Sequence, residues 1–248
     1  MFPPEQMRAS LRPWSRSRSL IAAASAAAPA EANPLKVQAM RDLGAELVIQ
    51  GKNFDEAKEN AERLTREHGY RYVNSGDEPL LIGGVGTHTL EIFEAEPEID
   101  TVIVPLGGGS GAAGASLVKH ALKPDAQVIA VSSEEAPAGY LSWKERRVQH
   151  SKNETIAEGL ASGVPFELPQ RVLWDHLDDF VLVSDEELLD ATAAMITATR
   201  NLVEPAGAAA LAAAIKLRDR LQGRKVALIC SGGNISPAQL KQVVDRLG

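Results

Sequence analysis

The sequence predicts an α/β protein whose core is a mostly parallel open sheet flanked by helices. Short apolar runs at 101–105, 127–131 and 225–230 alternate with amphipathic helical stretches, the pattern of parallel strands joined by helical crossovers. Apart from Thr101, the run 101–105 is apolar, as expected of a central strand that is buried on both faces. Glycine-rich segments follow two of the runs, so we expect a ligand to bind where these strands end.

Composition excludes several classes of protein. The chain has 248 residues, of which 44% are apolar, and this is enough to bury a sizeable core. Its net charge of −7 is unfavourable for binding nucleic acid or an anionic membrane surface. Stretches of about 18 uninterrupted apolar residues, which could span a membrane, do not occur. The one cysteine, Cys230, excludes an internal disulfide, which favours a reducing, cytoplasmic location. Because it ends an apolar run, Cys230 is expected to be buried.

Residues 1–32 differ from the rest of the chain. They are rich in Arg, Ser, Ala and Pro and show no periodicity, which predicts an irregular leader that is disordered or wrongly started. A targeting peptide is the alternative interpretation, because an Arg/Ser-rich start precedes a run of small residues.

Capping and turn signals after residue 33 place the helices. The following features start or stop helices: Asn53 with Glu56, a stop at Gly69, the stretch 80–95, a helix ending near Leu122, Ser184 with Glu187, Pro205 as the first residue of a helix ending at Gly223, and Ser236-Pro237. Strand-like sequence begins at Tyr72, and the Pro-containing stretch around Trp143 is expected to form surface loops.

The most informative segment is the glycine-rich turn after the strand 101–105. Glycines there let backbone amides converge at the start of a helix, where unpaired N–H groups and the helix dipole favour an anion such as phosphate. A tight turn without a ligand is the simpler interpretation, but it needs fewer glycines. Gly109, Gly111 and Gly114 also match the dinucleotide fingerprint, with Glu134 as the ribose contact, so an NAD-binding oxidoreductase is the rival hypothesis.

A second turn, 231–234, follows the last strand and should lie at the same sheet edge. The hydroxyl of Ser231 could donate a hydrogen bond to a ring nitrogen or cap the following turn, and the sequence leaves both open.

Several segments in order resemble one enzyme family: 33–46, Gly86-Thr87, 105–114, 155–159, 178–187, 204–207 and 231–234. The chain resembles the threonine/serine dehydratase branch of the fold-type-II pyridoxal-phosphate enzymes, which share a tryptophan-synthase-β-like fold. The resemblance covers about 215 residues of this chain. It implies an incomplete small domain at 33–74 and a large cofactor-binding domain at 75–248.

The resemblance also implies roles for individual residues. The cofactor would be pyridoxal 5′-phosphate, and its phosphate would be held by Gly107, Gly108, Gly109, Ser110 and Gly111. Ser231 would bind the pyridine nitrogen, Glu204 would lie near the ring, and Gly159 would approach the cofactor through its backbone. For Glu204 the residues alone favour another interpretation, a carboxylate at a helix terminus.

The implied reaction removes water from threonine or serine to give a 2-oxo acid and ammonia, carried out by a homo-oligomer. The family's S-F-K-x-R-G segment with the Schiff-base lysine is not found, so no catalytic residue is assigned and the isolated chain is expected to be inactive. Lys36, Lys119 and Lys144 are expected to be solvated. Ser132 stands where some relatives carry a metal-binding glutamate, so no metal is predicted. A non-catalytic remnant is the third hypothesis.

Overall fold

The computed structural model describes residues 25–30, 32–52 and 54–246. The chain divides into two compact units, Met1–Tyr72 and Val73–Gly248. Within the described residues, none of the helices has the length and apolar character needed to cross a bilayer.

The smaller unit contains the strands β1 (Ser25–Ala28) and β2 (Glu46–Ile49) and the helices α1 (Pro34–Asp42) and α2 (Phe54–His68). The two strands pair in parallel. Helix α1 follows its N-cap Asn33, whose side chain accepts a hydrogen bond from the Leu35 N–H at 3.0 Å.

Three sequence predictions fall in this unit. Strand β1 lies inside the leader predicted to be irregular, because its backbone finds a parallel partner in β2 that local sequence does not reveal. The predicted cap Asn53 lies outside the described residues. Gly69 adopts φ +69° directly after α2, the left-handed stop expected of it.

The larger unit holds the main sheet and the helices that cover it. Its elements are α3 (Pro79–Ala95), β3 (Thr101–Pro105), α4 (Ser110–Leu122), β4 (Gln127–Ser133), α5 (Ala138–Glu145), a 3₁₀ turn (Glu158–Leu160), α6 (Glu167–His176), β5 (Asp179–Val183), α7 (Asp185–Thr199), α8 (Pro205–Lys216), β6 (Val226–Leu228) and α9 (Pro237–Val244). The strands are all parallel in the order β5-β4-β3-β6.

Alternate residues of β3 bury opposite faces of this sheet. Val102 and Val104 pack in a cluster with residues of α3, α4 and α6, whereas Ile103 packs in a second cluster with residues of α7 and α8. All three valine and isoleucine side chains are 2% exposed or less. The structure therefore confirms the predicted α/β class with a parallel sheet flanked by helices.

Several predicted helix starts are confirmed. Ser184 and Glu187 form a reciprocal capping box at the start of α7, with bonds of 2.7 and 3.2 Å. Ser236 caps α9 in the same way, and Pro205 is the first residue of α8.

Other predicted elements were wrong. Residues 70–74 form no strand, because the Asn74 side chain accepts the N–H groups of Gly76 and Asp77 and turns the chain toward α3. Helix α8 ends at Lys216 and not at Gly223, and the amino group of Lys216 binds the Leu182 carbonyl at 2.9 Å.

The stretch predicted to form surface loops contains the helices α5 and α6. Their short lengths give little periodic signal, and packing stabilises them instead. The Trp174 indole donates to the Ser142 carbonyl at 2.8 Å, and Trp143 packs near the ring of Phe180.

Candidate functional site

The glycine loop follows β3 and leads into α4. The Leu106 N–H donates to the Val131 carbonyl at 2.7 Å, which holds the start of the loop to β4. Gly109 is the N-cap of α4 in a left-handed conformation, φ +97°, and provides no side-chain cap. Gly107, Gly108, Ser110 and Gly111 are partly exposed, so their backbone is accessible to a ligand. A helix start of this kind can bind an anion.

Close neighbours explain why two loop positions are glycine. A Cβ atom on Gly107 would lie 2.2 Å from the carbonyl oxygen of Gly159, far inside van der Waals contact. A Cβ atom on Gly108 would lie 2.7 Å from the ring of Phe166, which is itself buried. The loop is therefore packed against the 3₁₀ turn and against the residue that precedes α6.

The carboxylate of Glu204 lies between two other glycines. A Cβ on Gly159 would be 4.0 Å from the Glu204 Oε1 atom, and a Cβ on Gly232 would be 2.2 Å from the same atom. Glu204 is the N-cap of α8, and only 9% of it is exposed. Its N–H donates to the Gly232 carbonyl at 3.2 Å. Glu204 thus lies at a helix terminus, and its carboxylate also lies beside Gly159.

Ser231 follows β6, which pairs with β3. The Ile229 N–H donates to the Ile103 carbonyl at 3.0 Å, so the turns after β3 and β6 leave the same edge of the sheet. The Ser231 hydroxyl is 3.5 Å from the Ala206 carbonyl oxygen, a long hydrogen bond, and the residue is exposed.

These contacts bring the predicted site residues into one cluster. Gly107 meets Gly159, Gly159 meets Glu204, and Glu204 meets Gly232 beside Ser231. We call this cluster the glycine cradle and define it as residues 107–111, Gly159, Glu204 and 231–232. It combines an uncapped helix start, a buried carboxylate and an exposed hydroxyl.

Sequence reasoning missed Asp185, which organises the segment leading to Gly159. Asp185 is the first residue of α7, and its carboxylate accepts bonds from the Thr155 hydroxyl at 2.6 Å, the Ile156 N–H at 2.9 Å and the Ser133 hydroxyl at 3.1 Å. An acidic residue after an N-cap is visible in the sequence, but its partners lie 29 to 52 positions away.

The rival dinucleotide hypothesis is not supported by the geometry. The carboxylate of Glu134 is paired with Lys216 at 3.2 Å. Gly114, the last glycine of the fingerprint, packs helix against helix, since a Cβ there would lie 2.8 Å from the Gly86 nitrogen and the Ile82 carbonyl oxygen in α3. The fingerprint requires its last glycine for packing between a helix and a strand.

Two further side chains differ from the sequence predictions. Lys119, expected in solvent, is 8% exposed and pairs with Asp178 at 2.8 Å, because the end of α4 packs beside the start of β5. Cys230, expected in the core, is exposed, because β6 is an edge strand and Cys230 follows Ile229, the last residue that bonds to β3. Lys144 is exposed as predicted.

Comparisons with a family model and with known proteins indicate the same family. A family model described as "Pyridoxal-phosphate dependent enzyme" matches residues 20–232. The L-threonine ammonia-lyase of Thermotoga maritima is 33% identical over 85% of this chain and 53% of that protein. The L-threonine ammonia-lyase of Geobacter sulfurreducens is 36% identical over 88% of this chain and 54% of that protein. The chain thus spans about half the length of these curated relatives.

Solved structures resemble this chain in the same way. The processed form of threonine deaminase isoform 2 from Solanum lycopersicum matches with a TM-score of 0.82 and 30% identity, covering 89% of this chain and 65% of that one. A fungal L-serine ammonia-lyase from Rhizomucor miehei matches with a TM-score of 0.78 and 28% identity, covering 89% and 73%.

Proposed function

This chain belongs to the family of pyridoxal-phosphate dependent enzymes, and on that premise we propose that it carries the cofactor-binding elements of an ammonia-lyase. The proposed reaction removes water from a β-hydroxy amino acid, threonine or serine, and yields a 2-oxo acid and ammonia. The similarity to L-threonine ammonia-lyases and to an L-serine ammonia-lyase supports this choice of substrate. The assignment of 75–248 as the cofactor-binding domain is part of the same proposal.

The phosphate of the cofactor would bind at the start of α4. Residues 107–111 supply backbone N–H groups there, Gly109 contributes no capping side chain, and Gly107 and Gly108 are partly exposed. Amides at a helix N-terminus favour a dianionic phosphate through both hydrogen bonding and the helix dipole. This accessible helix start, joined to Glu204 and Ser231 through Gly159, is the observation that carries the proposal.

The ring of the cofactor would lie between Gly159, Glu204 and Ser231. The Ser231 hydroxyl holds only a long bond to Ala206 and is exposed, so it can turn to donate to the pyridine nitrogen. A neutral hydroxyl does not force protonation of that nitrogen. When bound, the cofactor supplies an electron sink for charge at the substrate Cα, and a moderate sink suits β-elimination.

The lysines of the larger unit support the proposal that this chain alone binds the cofactor without turning over substrate. Each of their amino groups contacts a residue that is not part of the glycine cradle. These partners are Asp178 for Lys119, the carbonyls of Pro97 and Ile99 for Lys123, the Tyr140 ring for Lys144, Glu135 for Lys152, Glu134 and Glu187 for Lys216, Glu98 for Lys225 and Asp245 for Lys241.

Binding of pyridoxine 5′-phosphate to the purified chain tests the cradle. This probe keeps the ring and the phosphate but lacks the aldehyde, so it does not modify surface lysines. We expect saturable binding by equilibrium dialysis that inorganic phosphate displaces, and no 2-oxo acid formed from threonine when pyridoxal phosphate is added. Gly107→Ala should weaken binding at least about tenfold, because its Cβ and the Gly159 carbonyl cannot both keep their places.

Gly83→Ala is the matched control. It makes the same change at a helical position where a Cβ meets nothing within 4 Å. Binding of NAD without binding of pyridoxine phosphate would favour the oxidoreductase hypothesis, and binding of neither would favour a non-catalytic remnant.

A further inference from the structure

The N–H and the carbonyl of Ile156 both form hydrogen bonds to side chains, and these bonds hold the segment 155–157 in place. The Ile156 N–H donates to Asp185 Oδ2 at 2.9 Å, and the Ile156 carbonyl accepts from Gln239 Nε2 at 2.7 Å. The neighbouring Thr155 hydroxyl donates to Asp185 Oδ1 at 2.6 Å and accepts the Ala157 N–H at 3.2 Å. Residues from two helices, α7 and α9, therefore fix one short irregular segment.

Each of these two side chains is itself held in place. Asp185 also accepts from the buried Ser133 hydroxyl at 3.1 Å, and its position at the start of α7 favours a negative charge. Gln239 completes the capping box of α9, its Oε1 accepting the Ser236 N–H at 3.0 Å. The oxygen of the Gln239 side-chain amide thus accepts a hydrogen bond from the cap residue Ser236, and its nitrogen donates one to the Ile156 carbonyl.

This segment leads directly into the crowded side of the cradle. Ala157 and Leu160 are at most 1% exposed, which anchors the 3₁₀ turn that carries Gly159. The Gly159 carbonyl lies so close to Gly107 that a Cβ there would be 2.2 Å away. A shift of a few tenths of an ångström in the segment therefore changes the space available to the glycine loop.

We propose that Asp185, together with Gln239, is a positioning residue that sets the place of the Gly159 backbone against the phosphate-binding loop. The inference rests on the proposed cofactor site for its functional meaning, but the positioning itself is a property of the chain without ligand. The carboxylate is required because it accepts three donors at once. An asparagine that keeps the two hydroxyl bonds would turn its own N–H₂ toward the Ile156 N–H.

Two substitutions test this with a matched control. Asp185→Asn leaves a single acceptor oxygen, which cannot accept the Ile156 N–H and both hydroxyls as the carboxylate does. Gln239→Glu keeps the capping box but replaces the donor to the Ile156 carbonyl with an acceptor. Glu186→Gln is the control, because it removes the same charge from the same helical turn and its carboxylate pairs with Arg246 instead.

Amide hydrogen exchange of residues 107–111 and 156–160 is the first measurement, made without ligand. We expect faster exchange in Asp185→Asn and Gln239→Glu than in the wild type and Glu186→Gln, beyond any change in the global free energy of unfolding measured in urea. The second measurement is pyridoxine 5′-phosphate affinity, which we expect to fall roughly tenfold, the scale of a lost hydrogen bond to a charged acceptor.

Unchanged exchange at 107–111 in both variants would overturn the positioning role, as would equal effects in Glu186→Gln. If the wild type binds no pyridoxine phosphate, the cofactor proposal fails while the exchange comparison still decides the positioning role.

Discussion

At the scale of single residues, neighbours far along the chain decide which side chains the glycine cradle tolerates. Gly107 and Gly232 each face an oxygen within 2.2 Å of where a Cβ would lie, and those oxygens belong to Gly159 and Glu204. The sequence pattern marks Gly107 as special, but it does not show which neighbour requires a glycine. The same holds for Cys230, whose exposure follows from its place after the edge strand β6 and not from the apolar residues before it.

The exposure of Cys230 gives a prediction at this scale. We expect a maleimide to label the native chain at a rate close to that of the urea-unfolded chain, because no opening of the structure is needed to reach the thiol. Mass spectrometry over a labelling time course measures the rate. Cys230→Ser should remain unlabelled. A native rate as slow as global unfolding would show that the thiol is buried.

At the scale of elements, the helices α3 and α4 approach each other through glycines. Gly86 and Gly114 face each other across this contact, and a Cβ on Gly114 would lie 2.8 Å from backbone atoms of α3. A backbone atom cannot rotate out of the way as a side chain can. This close packing therefore requires glycine, which has no side chain. Gly83 and Gly84 lie in the same helix α3 but face open space.

This difference predicts opposite effects for the same substitution. Gly114→Ala should lower the free energy of unfolding by about 1–3 kcal/mol, the usual cost of overpacking. Gly83→Ala should raise it by about 0.5–1 kcal/mol, because alanine restricts the unfolded chain at an exposed helical position. Urea denaturation of the three proteins measures both changes. Similar destabilisation by the two substitutions would contradict the described helix contact.

At the scale of the larger unit, the parallel sheet is buried on both faces at its centre and ends in a poorly covered strand. The residues of β3 and β4 are almost all buried, whereas those of β6 are all only partly buried. An edge strand of this kind offers unpaired backbone groups to another chain. The homo-oligomer expected from the family resemblance stays a prediction.

His88 is expected to make the stability of the larger unit depend on pH. Burial lowers the pKa of His88, although its bond to the Gly86 backbone and the charge of Glu91 act in the opposite direction. In the unfolded chain this histidine has an ordinary pKa of about 6.5. As the pH falls below that value the unfolded chain takes up a proton that the folded chain resists, so stability is lost as the pH falls through the folded pKa.

His88→Gln should therefore flatten the fall in the free energy of unfolding below about pH 6.5. Urea denaturation at a series of pH values measures this. His150→Gln, at an exposed position, controls for the loss of an imidazole. An unchanged slope in His88→Gln would contradict the assignment.

The sequence by itself determined the class of fold, the strands β3 and β4, the caps of α7 and α9, and the glycine loop at 107–111. These features depend on periodicity, capping chemistry and backbone freedom, which are properties of a few neighbouring residues. Tertiary structure alone decided that β1 pairs inside the expected leader, that α5 and α6 form, and that Asp185 holds the segment before Gly159. Each of these requires a partner many residues away, and local sequence contains no measure of which distant segments will meet.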